Sequence, residues 1–378
     1  MTKPREIQEV EHMNLNIDEK FFDYFKNLKQ VFLYLTDNCN LNCLQCLYKP
    51  DLVMKKRLEV ALAKELLYNM RKLGAYKLSF LGGEVTTYPT DEAMSIFAYA
   101  KEIGYSYTRI DTNGHFDHAL FSKGFFSSLD EVSVSIDGYD VETNDGVRGD
   151  GLFEIACESL DKLVSTVKNV HITCCVTKQA SIRAGGIMPL VEKMIFFAKE
   201  RGVKSINFHG VFCMGVPMDA WTASAHLDPE EWYNVSETIL SSIRQKKYCI
   251  PVRFPVRIVK KEEFENHKEF YGYCPSKLGE RVLIHPSGII RICSSLLSTC
   301  YGVATYDRNG IYWNSINNEL DLEGMDRTNN ELPCAHQKKL YDDDKGYVPV
   351  CFSLKPYQKE VVWQDLVQQG IIKEVPYE

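Results

Sequence analysis

Short β-rich runs alternate with longer helical stretches from about residue 30 to about residue 245. The predicted strands are Val31–Thr36, Tyr76–Leu81, Tyr105–Asp111, Glu131–Ile136, His171–Thr177 and Ser205–Gly210. The predicted helices between them include Leu58–Leu73, Asp91–Ile103, Leu152–Thr166, Met188–Arg201 and Glu230–Ile243. About six βα units in series imply a parallel sheet with helical crossovers. We therefore predict an α/β protein built on a partial (β/α)6 TIM-like barrel, whose active site lies at the carboxyl ends of the strands.

The alternation ends near residue 247, and the rest of the chain has a different character. Prolines and a charged run starting at Lys260 predict a solvated linker. Further on, Arg281–Ile284 and Ile289–Ile292 flank a turn at Gly288 and predict a β-hairpin in a segment otherwise dominated by loops. The predicted units are an N-terminal extension (1–30), the barrel (31–246), the linker (247–270), a small cysteine-bearing domain (271–353), and a C-terminal helix, about 358–369, with its tail (354–378).

The charge and the cysteine content narrow the class of protein. The 378 residues include 44 Lys and Arg against 51 Asp and Glu, a formal net charge of −7 that argues against a nucleic-acid partner. No apolar run approaches the roughly 20 residues of a membrane span and no secretory signal is visible, so we expect a cytoplasmic protein with no membrane partner. The 13 cysteines should then stay reduced, and those at short spacing should bind metal.

Three cysteines follow the first predicted strand at the spacing C-x3-C-x2-C. They are Cys39, Cys43 and Cys46, and no fourth cysteine lies nearby in the sequence. A four-iron cluster is usually held by four cysteine thiolates, so three thiolates leave one iron open. An open coordination position is typical of a reactive metal centre. A zinc site or three incidental cysteines are the alternatives.

This motif resembles that of the radical S-adenosylmethionine (SAM) superfamily. The resemblance implies a [4Fe–4S] cluster that binds SAM at its open iron and a reductant such as flavodoxin or ferredoxin. It also implies cleavage of SAM to methionine and a 5′-deoxyadenosyl radical, which abstracts a hydrogen atom from a substrate. One departure is that Gln45 occupies a position where the family usually has an aromatic residue near the adenine.

Three further strand ends resemble the cofactor-binding segments of the same superfamily. Gly82-Gly83-Glu84 resembles its GGE segment, in which glycines permit close backbone approach and the carboxylate accepts hydrogen bonds from the ammonium of SAM. Val85 stands where the family commonly has proline. The remaining residues carried over from the resemblance are Thr112 and Asn113 of the TNG segment, and Ser135 and Arg148 of a segment typical of peptide-modifying members. An ordinary turn at Gly82–Gly83 and a surface salt bridge for Arg148 are the alternatives.

The hairpin cysteines predict a second metal site. Cys274 and Cys293 give the pattern C-x13-G-x4-C, which resembles the start of SPASM and twitch domains that carry auxiliary iron–sulfur clusters. The number of cysteines suits one auxiliary [4Fe–4S] cluster of the twitch type. Free or zinc-binding cysteines are the alternative. The predicted ligands are Cys274, Cys293, Cys334 and Cys351, with Cys300 in reserve.

Cys213 follows the sixth predicted strand at the catalytic face, where its thiol could return a hydrogen atom to a substrate radical. An inert buried thiol is the alternative reading. Cys157, Cys174 and Cys175 are expected to serve core packing.

The leading functional hypothesis is modification of a ribosomally synthesised precursor peptide by crosslinking, epimerisation or oxidation. Only about 30 residues precede the first strand, so we expect no fused leader-binding domain. A dehydrogenase of a small alcohol, such as an aminoglycoside precursor, is the second hypothesis. An iron–sulfur electron carrier or zinc-binding scaffold is the third, and it predicts no SAM cleavage.

Overall fold

The computed structural model describes residues 15–211, 225–244, 247–266, 275–294, 302–313 and 346–351. Its strands are β1 Asn16–Ile17, β2 Gln30–Thr36, β3 Lys77–Gly82, β4 Tyr107–Thr112, β5 Glu131–Ser135, β6 Val170–Val176, β7 Ser205–Gly210, β8 Val252–Arg253, β9 Val256–Lys260, β10 Arg281–Ile284, β11 Ile289–Arg291, β12 Ala304–Tyr306, β13 Gly310–Trp313 and β14 Tyr347–Cys351. Its helices are α1 Glu19–Phe25, α2 Lys49–Leu52, α3 Val60–Lys72, α4 Thr90–Glu102, α5 Ala119–Ser122, α6 Val141–Arg148, α7 Leu152–Thr166, α8 Lys178–Ala184, α9 Ile187–Glu200, α10 Pro229–Arg244 and α11 Lys261–Asn266.

Twelve of the described strands form one sheet in the order β1-β13-β12-β11-β10-β2-β3-β4-β5-β6-β7-β8. The six predicted barrel strands are β2 to β7, and each pairs in parallel with its neighbour, so the predicted α/β fold with a partial TIM-like barrel is confirmed. Two strands extend the parallel series beyond the prediction, because β8 pairs with β7 and β10 pairs with β2. The cluster loop and the other predicted site segments therefore share one edge of the sheet.

The two faces of the barrel strands differ in polarity. Side chains that pack outward against the helices are apolar and fully buried, among them Leu33, Phe80, Ile110, Val132 and Phe208. The opposite, inward face carries polar and charged groups, in contrast to the Val, Ile and Leu layers that usually fill a closed TIM barrel. Arg109 makes two bonds to Asp111 (2.6 and 2.9 Å), and His171 Nδ1 lies 2.9 Å from the Glu131 carboxylate. A polar lumen therefore lies inside the barrel.

Residues 252–260 were predicted as part of a solvated linker, and the structure differs. Val252 extends the barrel sheet through β8, while β9 pairs with β14 in a separate antiparallel ribbon. Phe254 and Val259 are buried, since apolar side chains alternate through this short run and can pack on the barrel. The charged Lys260 run caps this ribbon and begins the short helix α11.

The described parts of the segment after the linker, residues 275–294 and 302–313, contain more strand structure than the sequence predicts. Strands β10 to β13 form an antiparallel meander with a buried interior, and the predicted hairpin and its Gly288 turn (φ 87°) are confirmed. The meander continues the barrel sheet through β10, so it is not separate from the barrel. The N-terminal extension joins it as well, because β1 pairs with β13 and Tyr24 OH donates to the Ser276 carbonyl (2.7 Å). The predicted helix at 358–369 lies outside the described residues.

Candidate cluster and cofactor site

The three-cysteine loop leaves the carboxyl end of β2, at the top of the polar lumen. Cys39, Cys43 and Cys46 are partly buried, and all are free thiols. Burial raises the pKa of each, that of Cys46 to about 11, and the three sulfurs lie within electrostatic range of one another. Two N–H groups point at Cys39 Sγ, the backbone amide of Leu41 at 3.4 Å and Asn113 Nδ2 at 4.0 Å. Such donors stabilise a thiolate, the form that binds iron.

The three thiols do not by themselves supply the four ligands of a closed zinc site. Among the residues that the structure describes, no group of three or more His, Cys, Asp or Glu side chains converges closely enough to hold one metal ion. In a four-iron cluster each thiolate binds a different iron, so the ligands stand further apart than those around one zinc. Three thiols on one loop match the three cysteine ligands of a four-iron cluster with one open iron, which stays a prediction.

Gly82 and Gly83 allow β3 to approach the backbone of the cluster loop. A Cβ on Gly83 would lie 2.2 Å from the carbonyl oxygen of Asn38, and a Cβ on Gly82 would lie 2.6 Å from that of Thr36. The gap is closed by two backbone hydrogen bonds of 2.7 Å, from Gly83 N to Thr36 O and from Glu84 N to Asn38 O. Because neither glycine has a Cβ atom, the backbone at the end of β3 can hydrogen-bond directly to the cluster loop and hold it in place.

Glu84 is buried and accepts hydrogen bonds from the chain itself. Its Oε1 accepts from Thr86 N (3.1 Å), Thr86 Oγ1 (2.8 Å) and Thr112 Oγ1 (2.8 Å), and its Oε2 accepts from Asn113 N (2.7 Å). Burial raises the pKa of Glu84, while these donors act to lower it. Glu84 therefore joins the ends of β3 and β4, and Oε2, with one bond, retains the acceptor capacity that a ligand ammonium needs.

The Glu84→Gln variant should lower the free energy of unfolding by about 1–3 kcal/mol. Whichever way the amide is turned, its NH2 group faces one or more of the donors that now bond to Glu84. Chemical denaturation measures the loss, and Glu102→Gln, at an exposed position, is the control that should change little. Equal stability of the two variants would contradict this account of Glu84.

Asn113 connects the TNG segment to the cluster loop. Its Nδ2 donates to Asn40 Oδ1 (2.8 Å), and its Oδ1 accepts from His115 N (2.8 Å). Asn40 Nδ2 donates in turn to the His115 carbonyl (2.6 Å). This closed network holds Cys39 from the side of β4. A cavity of about 490 Å³ adjoins it, bounded by Asn40, Thr86, Thr87, His115, Phe116 and His118 among others.

Arg148 forms a buried ion pair, not a surface salt bridge. Its Nη1 lies 2.7 Å from Asp137 Oδ2, and the two side chains are 6% and 0% exposed. Asp137 Oδ1 also accepts from Cys175 N (2.6 Å), and Oδ2 accepts a further bond from Gln45 Nε2. Gln45 Oε1 is buried with no hydrogen-bond partner among the described residues. Asp137 was not among the predicted site residues, although it lies two residues after Ser135 in the same motif.

Tyr34 and Tyr48 were also missed. Tyr48 lies two residues after Cys46, and its hydroxyl is 2.9 Å from that of Tyr34 inside the barrel. The Tyr34 ring stacks on His285, with ring centroids 4.0 Å apart, so the β10–β11 hairpin reaches the same point. The sequence offered one signal for Tyr34, because the alternation of side chains along β2 places it on the inward face of the barrel. Ser135 ends β5 and is partly buried at the same edge as Asp137.

The structure describes few of the cysteines predicted for the second cluster. Cys293 is partly buried beside the meander. Cys351 ends β14, opposite Val256 on β9. Cys213, Cys274, Cys300 and Cys334 lie outside the described residues, so the auxiliary cluster and the hydrogen-atom donor stay predictions. Cys157 and Cys174 are buried, whereas Cys175 is only partly buried and faces the lumen.

The fold and the three-cysteine site define an α/β barrel of the kind that binds an iron–sulfur cluster at its mouth. Residues 33–179 match the Radical SAM superfamily, so this part of the chain is similar to enzymes of that superfamily. That superfamily implies a SAM-binding [4Fe–4S] cluster. No helix among the described residues is long and apolar enough to cross a membrane.

Two proteins of known function resemble this chain in sequence. Mycofactocin maturase MftC of Mycolicibacterium smegmatis is 28% identical over 147 residues, which are 38% of this chain and 37% of MftC. The AdoMet-dependent heme synthase of Methanosarcina barkeri is 27% identical over 249 residues, which are 63% of this chain and 67% of the synthase. The match to MftC therefore spans little more than a third of that relative.

Two solved structures share the fold. Streptococcus suis SuiB bound to its precursor peptide SuiA superposes with a TM-score of 0.56 at 17% identity, covering 74% of this chain and 62% of SuiB. The structure of anSMEcpe with bound AdoMet and the Kp18Cys peptide gives a TM-score of 0.54 at 16% identity, covering 79% of this chain and 81% of that one. At these identities the likeness is one of fold.

Proposed function

We propose that this protein reductively cleaves SAM and uses the resulting radical to abstract a hydrogen atom from a ribosomally synthesised peptide. The observation that carries the proposal is the three-cysteine loop held at the mouth of a polar barrel. When bound, a reduced four-iron cluster supplies the electron that breaks SAM into methionine and a 5′-deoxyadenosyl radical. Cys39, Cys43 and Cys46 would hold that cluster.

The chain's own residues position the reactants. Glu84 Oε2 offers an acceptor to the ammonium of SAM, at the end of the strand next to the cluster loop. Asn113 holds Cys39 and Asn40 in place, and Arg148 with Asp137 fixes the opposite side of the loop through Gln45. Ser135 and Arg148 are the residues we assign to the polar groups of SAM. The protein thus orients a cofactor whose chemistry is intrinsic.

A peptide substrate is supported by the named relatives. MftC is a maturase, and SuiB and anSMEcpe are fold neighbours with peptides bound in their structures. A crosslink, an epimerisation and an oxidation all begin with the same hydrogen abstraction, so the chain's residues do not choose among them. Co-expression with a short peptide encoded beside the gene, followed by mass spectrometry, tests the assignment. A mass change that requires intact Cys39, Cys43 and Cys46 supports it, and an unchanged peptide contradicts it.

A small-molecule substrate is the second candidate. The match to the heme synthase extends over 249 residues, further than the match to MftC. The lumen carries Arg109, Asp111, Glu131 and His171, which suit a polar group such as an alcohol. Product formation from a small alcohol, together with an unmodified neighbouring peptide, would favour this candidate.

We also propose one auxiliary [4Fe–4S] cluster, held by Cys274, Cys293, Cys334 and Cys351 with Cys300 in reserve. The support is the C-x13-G-x4-C spacing around the hairpin and the partly buried thiol of Cys293 at its end. Two four-iron clusters require about eight irons per chain. Iron analysis of Cys293→Ala should find about half of that value, whereas Cys157→Ala, in a helix, should keep it all. Zinc in the wild-type protein would contradict the proposal.

A further inference from the structure

The chain that leaves the cluster loop makes an exposed turn before it returns to the barrel. Helix α2 follows Cys46 closely, and residues 53–57 after it are all exposed. Val53 is 79% exposed and Met54 is 55% exposed, which is unusual for neighbouring apolar side chains. Lys55, Lys56 and Arg57 follow at once. We call residues 53–57 the basic tip.

The basic tip is tied to the base of the cluster loop. The Asp37 amide donates to the Lys56 carbonyl (2.8 Å), and Leu58 N donates to the Leu35 carbonyl (2.9 Å). Thr36 and Arg57 also pair as an antiparallel β-bridge. Asp37 lies two residues before Cys39. The positive charge of Lys49, just ahead of the tip, is within range of both Cys43 and Cys46. The tip therefore adjoins the start of the cluster loop, and Lys49, just ahead of the tip, lies near the cysteines at its end.

The charge of this region is opposite to that of the protein. Residues 49–57 contain four basic residues and one acidic residue, within a chain whose net charge is −7. Arg57 Nη1 forms an ion pair with Glu92 Oε1 at 3.5 Å, whereas Lys55 and Lys56 form no ion pair with any described residue. An exposed apolar pair beside these two lysines suits a protein partner that carries an acidic rim around an apolar centre.

We propose that the basic tip is the docking surface for the acidic one-electron carrier protein that reduces the cluster. This inference rests on the proposed function, because only a redox-active cluster needs such a partner. Lys55 and Lys56 attract the negatively charged carrier, and Val53 and Met54 supply the apolar contact that holds it. The carrier gives one electron to the cluster and leaves in its one-electron-oxidised form.

The test compares two reductants on one variant. Lys55→Glu/Lys56→Glu should slow 5′-deoxyadenosine formation driven by a reduced, acidic flavodoxin about tenfold or more at low salt. Formation driven by dithionite should be unchanged, because that small reductant needs no docking surface. The wild-type rate with flavodoxin should fall as salt rises, and the rate of the variant should depend less on salt. Lys55 has a φ of 47°, and glutamate keeps the same Cβ there, so the turn is equally strained in both proteins.

The matched control is Lys199→Glu/Lys204→Glu. Both lysines are exposed and lie just before β7, at the opposite edge of the sheet from the cluster loop. This variant has the same change in net charge and should keep its flavodoxin-driven rate. Equal slowing in the two variants would mean that only net charge matters, and would overturn the proposal.

Calorimetric titration of flavodoxin into the protein measures binding and requires no catalytic turnover. Weaker binding in the tip variant alone supports the proposal even if SAM cleavage itself were not observed, so the two hypotheses fail separately. Unchanged binding and unchanged flavodoxin-driven rates would overturn it. If dithionite-driven SAM cleavage or peptide modification were slower in the tip variant, the tip would instead be a surface that binds the substrate. The apolar half is tested by Val53→Ser/Met54→Ser, which should weaken binding without altering its salt dependence.

Discussion

Replacing Cys39, Cys43 and Cys46 together with alanine is expected to abolish formation of 5′-deoxyadenosine from SAM. The three thiols are the described donors for the cluster at the barrel mouth, and the reaction requires an electron delivered there. If the proposed second cluster is present, about half of roughly eight irons should remain, bound by its cysteines. The measurement is product chromatography and iron analysis after anaerobic reconstitution. Residual cleavage in the triple variant would refute the assignment.

The barrel of the triple variant should stay folded, since none of the three side chains belongs to the buried apolar core. Circular dichroism provides this control. Cys174→Ala is the matched substitution, because that thiol is fully buried on the helix side of β6. It should cost stability but leave the iron content and SAM cleavage in place. About four irons in the wild type and none in the triple variant would mean that the chain has no second cluster.

Arg148→Ala should destabilise the protein by about 3–5 kcal/mol, because it leaves the Asp137 carboxylate buried without its cation. Asp137 is 0% exposed in the intact protein, so its charge is balanced by the groups that contact it and not by bulk solvent. SAM affinity should fall in the same variant, since Gln45 and Cys175 are held by the same carboxylate. Chemical denaturation and SAM titration measure the two effects.

Arg201→Ala is the control for that experiment. Arg201 lies 2.6 Å from Asp161, but the two side chains are 32% and 54% exposed. Exposed pairs contribute roughly 0–1 kcal/mol, so this variant should be nearly as stable as the wild type. If both arginine variants lost the same small amount of unfolding free energy, the Arg148–Asp137 pair would not make the contribution to stability that its burial indicates.

Much of the barrel could be predicted from the sequence because its signals are local. Apolar side chains repeat about every 2 residues on one face of a strand and about every 3.6 residues on one face of a helix. These patterns depend only on neighbouring positions in the sequence. The predicted strands Val31–Thr36 and Ser205–Gly210 match β2 and β7 closely. The C-x3-C-x2-C spacing and the Gly288 turn are local as well. These features identified the α/β barrel, the cluster loop and the hairpin.

Other features depended on which strands became neighbours. Strand β8 has two residues and β10 is the first arm of a hairpin, so nothing local indicated that both would extend the barrel sheet. Gln45 and Asp137 are 92 residues apart, and Glu84 meets Asn113 across 29. The sequence determined the elements and the cluster motif. Only the tertiary structure decided that Asp137 would be buried against Arg148 and that Glu84 would be surrounded by the chain's own donors, because those contacts exist only after the parallel strand ends meet at one edge.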